Sequence, residues 1–248
     1  MITKPGSPVM AGGNGAYSPT TAENHLISKL APADLAAFFA RAKRVTCTLR
    51  ESLFEIHEPF TRVLFPINGM ASLVTVLKDG TSLEAMAVGR EGFVGLPLFH
   101  GIPVARSKGI CQIEGEFYQL SPGDFISLLT NSSDLRRILH RYAQLANEVV
   151  AQTAACNSMH LIEQRCARWL LLSADAVGRT NFGLTHEFLS QMLAVRRPGV
   201  TVAIGGLERQ GLIEHRYGKV SLRNVDGLKK AACECYHTIA EKSRELMN

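Results

Sequence analysis

The stretch from Leu184 to Leu222, LTHEFLSQMLAVRRPGVTVAIGGLERQGLIEHRYGKVSL, leaves little freedom in how it folds. Thr185 is a good N-cap, with Glu187 in the first turn that follows. Leu189, Met192 and Leu193 then fall on one helical face. Ala194-Val195-Arg196 is a short joint. Pro198 suits the first position of a second helix, where a missing N–H costs nothing. Val200, Ala203, Ile204 and Leu207 form that helix's buried stripe. Gly211 supplies the positive φ that a helix stop often needs. LIEHRYGKVSL reads as strand, glycine-containing turn and strand. Two helices at a tight joint followed by a hairpin make a winged helix-turn-helix, a unit that places its second helix in a DNA major groove.

The residues off the buried stripe are the expected contacts with double-stranded DNA. Thr185 and Gly199 bracket the joint at the groove-facing end. Arg196 and Arg197 open the second helix, where an arginine can pair bidentately with guanine. Thr201 reaches a base edge or a phosphate. Val202 is apolar on an exposed face, which suits a thymine methyl. Arg216 and Lys219 flank the wing turn, where phosphates are expected. Taken singly, each could be plain solvated surface; the constellation is what points to DNA.

Upstream, the texture changes twice. NHLISKLAPADLAAFFARAKRV has helical apolar spacing. From Val45 to about Leu120 short β-branched runs (VTCTL, TRVLFPI, ASLVTVL, SLEAMAV, SKGICQI, EGEFYQL) alternate with Gly, Pro, Asn and Asp, the pattern of an antiparallel sandwich or barrel. SPGDFISLL returns to helix. Asp134 to about Cys156 carries one apolar seam, Leu135, Ile138, Leu139, Tyr142, Leu145 and Val149, at spacings of three and four. Such a helix between two domains predicts a homodimer interface, against the alternative of a helix lying on its own β domain. Asn157-Ser158 reads as a hinge. MHLIEQRCARWLLLSADAV is one more amphipathic helix, with Leu161, Cys166, Trp169, Leu170 and Leu172 toward a core, and VDGLKKAACECYHTIAEKSRELMN is a terminal helix. The expected organisation is α+β: a tail over 1–23, disordered by its Gly/Pro/Ser/Thr content; a β domain over 24–132; a dimerisation helix over 133–157; and a winged helix-turn-helix domain over 158–248.

Composition excludes other classes. The 248 residues are 46% hydrophobic and 20% charged, with a net charge of +5, an ordinary globular balance compatible with nucleic acid. No apolar run approaches the roughly 18–20 residues of a membrane span, and no secretion signal opens the chain, so a cytoplasmic protein with reduced thiols is expected. The six cysteines are scattered. Cys233-x-Cys235 lacks the two-residue spacer common in zinc and redox pairs, so no metal site is expected. A cupin-like metal enzyme would need clustered ligands, and the β segment offers only His57-Glu58 and His100. No catalytic triad or phosphate loop is visible, so no catalytic residue is assigned.

A β domain, a long connecting helix and a winged helix together resemble the cyclic-AMP receptor/fumarate-nitrate regulator (Crp/Fnr) family. LTHEFLSQMLAVRRPGVTVAIGGLERQGLI is similar to its DNA-binding signature, and FPINGMASLV and VGREGFVGLPLF to its cyclic-nucleotide-binding-like β-roll, a jelly roll. The resemblance implies a homodimeric transcription regulator on a near-palindromic site, with a small-molecule effector in the β-roll and RNA polymerase as a further partner. In cyclic-nucleotide binders of the family a Gly-Glu-Leu segment and a later Arg-Ser hold the ligand. Gly95 matches, Leu96 stands where the ribose-binding Glu belongs, and Arg106-Ser107 match the phosphate-binding pair. Cyclic nucleotide is therefore disfavoured as a ligand, and no cofactor is expected. On the recognition helix Arg197 matches the family's leading Arg, but Pro198 replaces its Glu and Val202 its second Arg. The N-terminal cysteines that hold an iron–sulfur cluster in some members are missing. The competing reading is a regulatory module, independent of cyclic nucleotide, whose winged helix contacts a protein partner.

Overall fold

The structure, a computed structural model, describes residues 23–247. Most of the tail expectation, residues 1–22, lies outside the described residues. The predicted first helix is split. Ile27–Lys29 form a single 3-10 turn, Leu30 is extended, and helix α1 (Pro32–Phe39) starts with Pro32 in its first turn. Proline's fixed φ and missing donor favour that start over continuation from upstream.

The β-rich segment forms two antiparallel sheets. Strands β1 (Lys43–Cys47), β2 (Ser52–Phe54), β3 (Val63–Pro66), β4 (Met70–Val76) and β5 (Ser82–Val88) precede a short helix α2 (Leu96–Phe99), and β6 (Lys108–Ile113) and β7 (Gly115–Leu120) follow it. One sheet has the order β1-β7-β3 and the other β2-β6-β4-β5. All six strands expected from sequence are present; β2, only three residues long, is additional. A ladder of rings runs through the core. Phe38 meets Phe65 at 5.3 Å, Phe65 meets Phe93 at 5.4 Å, and Phe93 meets Tyr142 at 5.3 Å between centroids. Each such pair adds roughly 0.5–1.5 kcal/mol beyond area burial, so the ladder ties α1, the sheets and the next long helix into one body.

Helix α3 (Pro122–Asn131), capped by Ser121, leads into α4 (Ser133–Met159), capped by Ser132. The seam residues Leu135, Ile138, Leu139, Tyr142 and Leu145 are buried in this same chain's β-domain core, and Val149 packs against it. The apolar periodicity of α4 thus marks the face covered by its own domain, and the expectation that it forms the dimer seam is corrected. A different set on α4, Arg137, His140, Gln144, Asn147, Ala151 and Ala154, is exposed at the same three-and-four spacing. Asn157-Ser158 is not a hinge either: both are helical, and the chain turns at His160 and Leu161, each with extended backbone.

Helix α5 (Ile162–Val177) ends at Gly178, whose φ of +69° makes it a left-handed C-cap. Then follow β8 (Asn181–Gly183), α6 (His186–Met192), α7 (Arg197–Arg209), β9 (Ile213–Arg216) and β10 (Lys219–Leu222), with sheet order β8-β10-β9. The expected terminal helix is two, α8 (Val225–Ala231) and α9 (Cys235–Met247), broken at Ala232–Glu234. At the start of α5, Leu161, expected in the core, is 73% exposed, while Arg165 and Arg168 are buried.

The second core joins the winged unit to the β domain: Met70, Val74 and Ile113 share a cluster with Trp169, Leu189 and Met192. Polar contacts reinforce the joint. Trp169 Nε1 donates to Glu84 Oε1 at 3.2 Å, and Ser72 Oγ donates to Glu84 Oε2 at 2.6 Å. The Arg90 amide donates to the Ala176 carbonyl at 3.2 Å. Arg179 donates to the carbonyls of Asn68 and Glu114.

Candidate nucleic-acid interface

Thr185 caps α6 as expected, its Oγ1 accepting from the Phe188 amide at 3.1 Å. A cap of this kind is worth about 1 kcal/mol. The same oxygen accepts from Arg50 Nη2 at 3.3 Å, so a β-domain arginine reaches the first turn of the helix-turn-helix. Leu189, Met192 and Leu193 are buried on one side of α6, and Val200, Ala203, Ile204 and Leu207 on one side of α7. The joint passes through Ala194, which adopts φ +51°. The Val195 amide closes it onto the Ser190 carbonyl at 3.0 Å.

Arg196 is the N-cap of α7, Arg197 the first helical residue and Pro198 the second, one position later than the sequence suggests. Both are N–H positions without an intrahelical acceptor, so proline is tolerated at either. Arg196, Arg197, Pro198, Thr201 and Val202 lie on the open side of the helix, Gly199 is half-buried, and Val202 at 70% is an unusually bare aliphatic side chain. The helix N-terminus adds its own partial positive charge to the two guanidinium groups, a ready anion site. Gly199 also permits close packing, since a β-carbon there would meet Ile162 at 3.1 Å.

His186 locks this corner together. Its ring stacks on His215 at 4.7 Å, and its Nδ1 lies 3.1 Å from Thr201 Oγ1. Thr201 Oγ1 donates to the Arg197 carbonyl at 3.2 Å, so the imidazole nitrogen is the donor in the shared bond. Burial first, then the charges of His215 and Arg197, hold His186 below the ordinary histidine range, which matches a neutral ring. The Thr201 hydroxyl expected to read DNA is thereby committed to two partners within the protein.

The wing turn is a two-residue loop, Tyr217-Gly218, with φ of +51° and +71°. Two successive positive φ values are the signature of a type I′ hairpin turn. Tyr217 is fully exposed at the tip; sequence reasoning misses it, because its ring carries no charge to flag it. Arg216 and Lys219 face each other across the hairpin and are exposed. Arg216 Nε already pairs with Glu214 Oε1 at 2.8 Å, and Glu214 also binds Arg223. The Leu184 amide donates to the Gly218 carbonyl at 2.8 Å, which ties the wing to the start of α6.

The resemblance-based ligand positions are less coherent. Gly95 has φ +136° and little room for a β-carbon against Val63, so a backbone requirement explains it. Leu96 starts α2 and packs on the β-domain core. Arg106 is exposed and, among the described residues, has no ion-pair or hydrogen-bond partner; Ser107 is half-buried beside it. A separate cavity of about 700 Å³ lies between β5, α4, α5 and α9, with Glu84, Arg168, Asp175, Lys229 and Arg244 in its wall.

Residues 164–231 match the Crp-like helix-turn-helix domain, and the β domain and long helix stand in front of it as in that class. The chain therefore carries a Crp-like helix-turn-helix DNA-binding domain. It is 26% identical over 178 residues to the transcriptional regulator SdrP of Thermus thermophilus, covering 70% of this chain and 85% of that protein. Its fold is that of FixK2 from Bradyrhizobium japonicum, with a TM-score of 0.64 and 17% identity over 77% of this chain and 98% of the other. A second Thermus thermophilus protein, a transcriptional regulator of the CRP family, superposes with a TM-score of 0.63 and 21% identity, over 77% of this chain and 96% of its own. No helix among the described residues is long and apolar enough to cross a membrane.

Proposed function

We propose that this regulator binds a near-palindromic DNA site as a homodimer, with α7 in the major groove and the wing on the flanking phosphates. The observation that carries this is the bare face of α7: Arg196 and Arg197 stand at the positive end of a helix whose other side is packed, and Val202 is bare in the next turn. Arg197 and Val202 read base edges, and Arg216, Tyr217 and Lys219 meet the backbone. Dimerisation uses the exposed stripe of α4 from Arg137 to Ala154, its apolar seam being occupied by the β domain. Two such units would present their α7 helices about 34 Å apart, one helical turn of DNA.

Effector control acts through the cavity between β5, α4, α5 and α9 rather than through Arg106. Leu96 removes the sugar-binding carboxylate, whereas the cavity touches the elements whose movement would shift the DNA-reading unit. The reading is tested by selecting bound sites from random duplex DNA with the pure protein. An inverted repeat with half-sites one turn apart supports it. Recovery of single half-sites by a monomer overturns the dimer. Failure to enrich any DNA, with or without nucleotide effectors, favours a winged helix that serves a protein partner.

A further inference from the structure

The break between α8 and α9 brings together two pairs of side chains that the sequence keeps far apart. Cys156 and His160 stand at the C-terminal end of α4, four residues apart and therefore on one face. Cys233 lies in the break and Cys235 begins α9. The three sulfurs and an imidazole nitrogen all lie within 4.8 Å of one another. Cys156 Sγ is 3.5 Å from Cys233 Sγ, and Cys235 Sγ is 3.6 Å from His160 Nδ1. Tetrahedral zinc with sulfur donors at roughly 2.3 Å and nitrogen at roughly 2.1 Å has donor–donor edges of about 3.5–3.8 Å. The cluster already has nearly that size.

Its surroundings are those of a metal site. All three cysteines are buried. His160 presents Nδ1 to the cluster, and its Nε2 lies 3.8 Å from Glu234 Oε1, an ion-pair distance rather than a hydrogen bond. Gln152 Nε2 donates to Cys235 Sγ at 3.1 Å. Arg168 is buried, its Nε lacks a partner among the described residues, and its charge acts on Cys156 and Cys233. Three thiolates around a divalent ion leave one net negative charge, which that guanidinium balances. Soft donors select zinc over magnesium or calcium. Four protein ligands leave no open position, so the site is structural. A polynuclear iron–sulfur cluster, whose thiolates sit on different irons, needs a wider cage. A Cys156–Cys233 disulfide would use two of the four groups and leave the convergence of Cys235 and His160 unexplained.

We propose that Cys156, His160, Cys233 and Cys235 bind one Zn²⁺ and thereby bolt the C-terminal helix α9 to the end of α4. The consequence reaches the DNA-reading unit. Asn157, next to Cys156, accepts from Arg165 Nη2 at 2.9 Å, and the same Arg165 nitrogen donates to the Leu193 carbonyl at the end of α6. The bolt therefore sits beside the pivot from which the helix-turn-helix is held.

The test is metal analysis of the full chain purified without chelator, followed by Co²⁺ titration of the stripped protein. One zinc per chain and the intense visible absorption of tetrahedral thiolate-bound cobalt are expected. C235S and H160A should each weaken Co²⁺ binding by about 100-fold or more, while H160C, which supplies a fourth thiolate, keeps the tetrahedral spectrum. The H160A and H160C pair remains informative should a cysteine variant fail to fold. Cobalt spectra typical of octahedral coordination, unchanged binding in C235S, or substoichiometric zinc in freshly prepared protein would overturn the site. A mass shift showing a Cys156–Cys233 disulfide in protein prepared under reducing conditions would also overturn it, leaving a redox pair in its place.

Discussion

Gly89→Ala should separate the β domain from α5. A β-carbon at Gly89 would stand 2.3 Å from Ala176 Cβ and 2.7 Å from Ala176 Cα. Carbons in contact settle at about 3.5–4.0 Å, so α5 must retreat by roughly an ångström at its last turn. The obstacle is helix backbone and cannot swing aside as a flexible side chain would. Retreat stretches the Arg90–Ala176 bond and draws Trp169 away from Glu84. Overpacking costs about 1–3 kcal/mol and a lost hydrogen bond about 1 more. A destabilisation of about 2–4 kcal/mol is expected, or about 5–15 °C in melting temperature for a chain of this length. Urea and thermal unfolding of G89A, A176G and the double variant measure it. A176G removes the nearer carbon but leaves Cα in place, so the double variant should recover part of the loss, with a coupling of about 1 kcal/mol. If G89A unfolds within about 0.5 kcal/mol of the parent, or the two losses simply add, the close approach is not what holds this joint.

Three further outcomes are expected. Arg197→Ala should weaken binding to the selected DNA site by about 1–3 kcal/mol and relax preference at one base position, whereas Lys219→Ala should lower affinity for all sequences and reduce the salt slope by about one; anisotropy titrations over a salt series separate them. Ala194→Gly should stabilise the fold by about 0.5–1 kcal/mol in urea unfolding, because a left-handed alanine costs about 1–2 kcal/mol and the extra freedom of unfolded glycine offsets only part of that; an unchanged midpoint would show the joint is unstrained. Burial pushes the Glu84 carboxyl up, against the hydrogen bonds from Ser72 and Trp169 and the charge of Arg168. The folded state thus holds that proton more tightly than the unfolded chain, and stability is lost as pH rises through the raised folded value. Glu84→Gln, neutral throughout, should gain stability over the parent at about pH 8 relative to about pH 5, and equal gains at both values would refute the assignment.

The winged unit is legible because its cues are local: a capping threonine, apolar residues at helical spacing, and a glycine after the second helix. The strands are legible for the same reason. What escapes depends on tertiary contact. The periodicity of α4 identifies an apolar face but not its cover, and the β domain takes the seam expected for a partner. Ala194 and Tyr217 adopt positive φ with neither glycine nor asparagine to announce it. Ala232–Glu234 breaks the last helix without proline or glycine, and that break is what moves Cys233 and Cys235 against residues 75–83 positions away. Arg165 and Arg168 look like surface charges in the helical pattern, yet both are buried, Arg165 bonded to Asn157 of α4 and to Leu193 at the end of α6, and Arg168 in the cavity wall.

His160 and Leu161 alone connect α4 to α5. So short a tether keeps the DNA-reading unit at an effective concentration on the order of millimolar or above beside its docking surface. Contacts too weak to hold two free proteins together, such as the exposed Arg50–Thr185 bond, are then enough to keep it seated. By the same arithmetic, a ligand or a DNA site worth only a few kcal/mol of differential affinity can unseat it.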